Sequence, residues 1–104
     1  MGKNYRYPVT FETQDEAADF VDDEPLWVPY EADRADIEEL SGRELVTAQE
    51  TSERVTARIT TRFHPKIRRT SDMRINHAGT IWRIASIVTK DLSHPPERIF
   101  MCMK

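Results

Sequence analysis

Between residues 55 and 63 every second position is apolar or compact: Val55, Ala57 and Ile59, then Thr61 and Phe63. Arg54, Thr56, Arg58, Thr60 and Arg62 occupy the alternate positions. One face is greasy and the other basic or hydroxylated, which predicts a strand with one side turned to a core and places Val55, Ile59 and Phe63 inside. Just upstream, Ser41-Gly42-Arg43-Glu44 fits a capping box. In that arrangement the Ser41 hydroxyl accepts from the Glu44 amide, and the Glu44 carboxylate accepts from the Ser41 amide. The pattern predicts a helix from Gly42 to about Ser52, with Leu45 and Ala48 as a narrow apolar stripe.

The same reading gives the other elements. Residues 5–12 (YRYPVTFE) alternate as a first strand, with Pro8 marking an edge. Residues 14–24 are acidic and predict an exposed loop ended by Pro25. Residues 26–32 form a second strand pairing back on the first, and residues 34–40 a short third strand through Ala35 and Ile37. After a basic loop over residues 64–72, strands follow at 73–75, 80–88 and 98–103, the first two joined by a turn at 76–79 where Gly79 supplies a positive φ. Trp82 and Ile84 join Ile37, Leu45, Val55, Ile59 and Phe63 as the predicted core. Six or seven short strands with one short α-helix make a mainly β chain, closing as a small antiparallel barrel or sandwich because closure removes exposed edges.

A chain of 104 residues is expected to form one domain and to bury roughly two thirds of its unfolded surface. The single cysteine, Cys102, excludes an intrachain disulfide and fits a reducing compartment. The first residues lack the apolar stretch of a signal peptide, and no run approaches the roughly 18 apolar residues of a membrane span, so no membrane role is expected and the protein is placed in the cytosol or assembling there. The formal net charge of −3 conceals a polarity. Residues 1–50 carry four Lys and Arg against fourteen Asp and Glu, a net −10; residues 51–104 carry eleven against four, a net +7. Such a dipole can steer an encounter or stack like copies head to tail.

Candidate chemistry is sparse. His64, His77 and His94 fall in predicted loops, none at ligand spacing from another or from Cys102, so no metal is expected. No glycine-framed nucleophile, phosphate loop or dinucleotide fingerprint is present, so no cofactor and no enzymatic activity are expected. Arg54, Arg58, Arg62, Arg68, Arg69 and Arg74 invite a second reading, a small barrel binding single-stranded nucleic acid through phosphate contacts and stacking aromatics. Against it, Phe63 and Trp82 lie in apolar alternations, and the acidic half repels DNA.

The segment Ala35-Asp36-Ile37-Glu38-Glu39-Leu40-Ser41-Gly42-Arg43-Glu44, followed by Ala48, resembles the signature of the head-tail joining family of long-tailed phages, the small head-closure or stopper connectors. Thr56, Ile59, Arg62 and Phe63 match that family's next strand, Met73-Arg74 its following segment, Gly79, Trp82 and Ile84 its return strand, and Cys102 its last. The resemblance implies a small β-barrel with one helix, in a homo-oligomeric ring of twelve subunits in the phage neck. The ring would lie below the portal and adaptor rings and above the tail-completion or terminator proteins, holding packaged double-stranded DNA without sequence specificity and presenting the tail attachment surface. Its place would be the virion, after assembly in the host cytoplasm. The neighbouring neck rings, adaptor or tail-completion protein, are the nearest alternative. A ring needs each patch to meet a different patch on its neighbour, and the charge polarity offers two. The candidate ring or partner contacts are Glu38, Glu39, Arg43 and Glu44 on one side and Lys66, Arg68 and Arg69 on the other.

Overall fold

The computed structural model describes residues 5–14, 26–50, 54–92 and 95–104. Six strands and one helix follow in order: β1 (Tyr7–Gln14), β2 (Trp27–Glu39), α1 (Gly42–Gln49), β3 (Ala57–Arg62), β4 (Arg74–His77), β5 (Thr80–Lys90) and β6 (Glu97–Met103). They close into an antiparallel barrel in the order β1-β2-β3-β6-β5-β4. Most of the acidic loop predicted at 14–24, the helix end predicted at Ser52, and His94 lie outside the described residues.

The period-2 pattern is the reason for closure. Val9 and Phe11, Ala35, Ala57 and Ile59, Ile75, Trp82 and Ile84, and Phe100 and Cys102 project inward from all six strands, with Met73 added from the loop before β4. Phe11 and Phe100 meet across the middle with ring centroids 5.2 Å apart. Of the predicted core, Val55, Ile59, Trp82 and Ile84 are buried, and Ile37 packs partly buried against the cluster.

Two predicted core positions are corrected. Phe63 is 37% exposed, because β3 ends at Arg62 and its alternation breaks where Thr60 and Thr61 are both buried. Thr60 faces outward, opposite Ile99 on β6. The next pair on that face is Arg62 and Glu97, where the Tyr5 ring meets Arg62 and its hydroxyl bonds Glu97, so Tyr5 lies against the outside of the barrel here. Leu45 is only half-buried, and α1 has no buried residue at all. Its apolar stripe is too narrow to seal the barrel end, and a cavity of about 360 Å³ lined by Leu40, Leu45, Arg54 and Trp82 remains beneath it.

The two strands predicted at 26–32 and 34–40 are one strand of 13 residues. Asp33 does not break it, because its carboxylate is paired by the loop after β3. Pro8 sits in a strand paired on both sides, but the ladder to β4 covers only Thr10, Phe11 and Glu12, so the proline lies beyond its end. The β4–β5 turn is Ala78-Gly79, with φ of 50° and 90°. This is the twist a two-residue hairpin needs, and glycine adopts it without strain.

Because every neighbouring pair is antiparallel, successive connections alternate between the barrel ends. The β1–β2, β3–β4 and β5–β6 connections share one end, called here the loop end. The helix α1 and the Ala78-Gly79 turn share the other, the helix end. No helix among the described residues is long and apolar enough to cross a membrane.

Candidate assembly interface

At the helix end, Ser41 is the N-cap residue of α1 in extended geometry, but its side chain makes no capping bond. The expected capping box is therefore corrected. Gly42, the first helical residue, has φ +57°, and this left-handed step turns the Ser41 hydroxyl away from the Glu44 amide. Glu44 instead reaches the Arg58 guanidinium at 3.9 Å, and Glu38 approaches the same group at 3.7 Å. Arg43, Glu44, Thr47, Ala48, Arg58 and Met101 line a shallow cavity of about 320 Å³. Glu39 stands 3.9 Å from the Lys104 ammonium, which also lies over the Trp82 ring. Four candidate contacts, Glu38, Glu39, Arg43 and Glu44, are thus neighbours at this end, with Val46 exposed beside them.

The basic trio is at the loop end, and it splits. Lys66 and Arg68 are exposed. Arg69 is drawn inward, its side chain only 6% exposed. One guanidinium nitrogen (Nη2) lies 2.8 Å from Asp33 Oδ2, off the hydrogen-bonding line, and Nη1 donates to Thr61 Oγ1 at 3.0 Å. The plane sits 4.2 Å from the centre of the Phe11 ring. His64 Nε2 is 3.2 Å from the same Asp33 oxygen. Next to this network, Asp72 accepts from the Thr70 hydroxyl and from its own amide, and these bonds, with Arg68 nearby, lower its pKa below the usual carboxylate value.

Much of the charge polarity is consumed inside the chain. Besides Asp33 with Arg69, Glu12 binds Arg74 at 2.6 Å while Asn76 donates to its other oxygen, and the Arg74 guanidinium covers Trp27. Residues 36 to 64 positions apart make these pairs, so no local spacing signals them. Phe63, exposed, is covered by the Arg98 guanidinium at 3.8 Å, which occupies the face a nucleobase would need.

Two groups, Cys102 and Tyr5, are shifted towards their protonated forms. Burial pushes the Cys102 thiol up to about 12, where it donates to the Phe100 carbonyl. Burial and the bond to Glu97 raise the Tyr5 hydroxyl to about 12. Among the described residues no group of His, Cys, Asp or Glu has the arrangement of a metal site.

The described residues form a closed antiparallel barrel with long-range ion pairs inside the chain and exposed charged side chains at both ends. The chain belongs to the phage head completion protein family, whose sequence model matches residues 3–102. It is a structural protein of the phage head, made to act with other head or tail proteins. No curated protein sequence matches it.

Proposed function

We propose that the protein forms a ring in the phage neck, of twelve copies in the reading the sequence resemblance favours, that closes the DNA-filled head below the portal and adaptor and gives the tail its attachment surface. Assembly takes place in the host cytoplasm, and packaged double-stranded DNA is retained in the channel without base-specific contact. One observation carries the reading beyond family membership. The antiparallel order puts Glu38, Glu39, Arg43 and Glu44 at one barrel end and Lys66 and Arg68 at the other. A ring of like-oriented copies then has two chemically different faces, one for a head-side and one for a tail-side partner.

The test is complementation of a phage lacking this chain with Lys66→Glu combined with Arg68→Glu. Both side chains are exposed, so the barrel survives. Each pair is worth under about 1 kcal/mol, but a ring repeats the penalty at every subunit. The expected particles are heads that package DNA and then lose it, beside free tails. Normal infectious particles would remove the loop end from any interface. Heads that never package would assign the ring to the portal side, as an adaptor.

A further inference from the structure

The two longest stretches of strand edge with no strand beside them among the described residues lie on β2 and β5. β3 pairs with β2 only over residues 36–39, so β2 continues past it. Arg34 is tied to the Tyr5 and Arg6 carbonyls, which leaves residues 27–32 as the open stretch. β4 pairs with β5 only over residues 80–83, so residues 84–90 run on alone on that side. An unpaired edge is a row of donors and acceptors ready to receive another strand.

Their placement is specific. In the order β1-β2-β3-β6-β5-β4, β3 and β4 stand three places apart, on opposite flanks of the barrel. The open β2 edge lies over one flank and the open β5 edge over the other. Strand directions alternate around the barrel, so β2 and β5 run opposite ways. A second copy in the same orientation therefore offers its β5 edge to the first copy's β2 edge as an antiparallel partner, the commoner pairing.

The side chains agree. Leu26 and Tyr30 are exposed beside the β2 edge, and Val88 and Leu92, the latter 93% exposed, beside the β5 edge. Within the open stretches, residues 27–32 carry Glu31 and no base, and residues 84–90 carry Lys90 and no acid. Pro29 and the irregular register opposite Phe11 and Glu12 make the β2 edge a poor template for arbitrary strands, as expected of an edge kept for one partner.

We infer that copies of this chain join by β-augmentation, the β2 edge at residues 27–32 of one pairing with the β5 edge at residues 84–90 of the next. The inference rests on the ring reading above and names the contact that would build it. The partner edges differ, so the contact is heterologous and propagates until the ring closes.

The test uses particles complemented with Tyr30→Cys and Val88→Cys, alone and together, treated with a short bismaleimide that tolerates a register offset of a residue or two. Cys102 is buried and stays unmodified. The double variant should give a ladder of cross-linked multimers, and each single variant only monomer. A cross-linked dimer from either single variant would mean a like-to-like contact and overturn the inference. Particles in which imaging shows the ring but the double variant gives no ladder would overturn the edge pairing and leave the ring reading standing; particles without a ring would remove both. As a second measurement, Val88→Asp should leave the melting temperature of the isolated protein unchanged while joined particles are lost, and undiminished joining would count against the edge.

Discussion

Arg69 decides whether the loop after β3 is a structural clamp or a free surface. Arg69→Ala removes a guanidinium 2.8 Å from the partly buried Asp33, a donor to the buried Thr61 hydroxyl, and a cation lying 4.2 Å from the Phe11 ring centre. Breaking a buried pair by deleting one partner costs about 3 to 5 kcal/mol, because the remaining charge loses its compensation. His64 stays 3.2 Å from Asp33 as a remaining partner, so a loss at the lower end, about 3 kcal/mol, is expected. For a domain of this size that is a drop of roughly 12 to 24 °C in midpoint. Urea melts of Arg69→Ala, Arg68→Ala, Asp33→Ala and the double variant Arg69→Ala with Asp33→Ala supply the measurement. Arg68→Ala, fully on the surface, should shift stability by under about 0.5 kcal/mol. The double variant should be less destabilised than the sum of the single losses, since neither charge is left alone. Equal, small costs for Arg68→Ala and Arg69→Ala would refute the clamp. Arg68 and Arg69 lie side by side in one loop, yet only Arg68 can be reversed without touching this clamp. Reversal at Arg69 sets a carboxylate against Asp33 in a buried site, so interface tests belong at Lys66 and Arg68.

Ser41→Ala should change stability by less than about 0.5 kcal/mol, since its side chain caps nothing, whereas Gly42→Ala, at φ +57°, should cost about 1 to 2 kcal/mol; chemical denaturation of the pair separates cap from backbone. Ile59→Ala should cost about 2 to 5 kcal/mol and Arg58→Ala less than about 1, because one is wholly buried and the other holds only two long ion pairs; matching losses would break the register of β3. Cys102 has a folded pKa raised from 9.0 to about 12, so the stability it contributes is complete below pH 9 and is lost as pH rises towards 12, with Tyr5 adding the same trend from pH 10 upward. The gap for Cys102 corresponds to about 4 kcal/mol at the alkaline limit, and Cys102→Ala should flatten the fall in melting temperature between pH 9 and 11.

What the sequence by itself determined is the part governed by neighbours along the chain. The alternation around Val55, Ala57 and Ile59 defined a half-buried strand, the Ala78-Gly79 turn a hairpin, and the ordered motifs from Ala35 to Cys102 a head-closure relative. Local periodicity reports which face of an element is apolar, and a closed barrel buries one face of every strand. Tertiary structure decided the rest, because the deciding partners are distant. Whether Arg69 points outward depends on Asp33 and Phe11, brought beside it from β2 and β1. Phe63 is exposed because β3 stops one residue short of it, and the Ser41 cap fails because Gly42 takes a left-handed step that composition does not encode. The charge polarity was plain in the sequence, but its meaning was not. Folding pairs Glu12, Asp33 and Glu38 with Arg74, Arg69 and Arg58 of the same chain, and only the ladder registers, set by distant strands, decide which charges are drawn into such pairs.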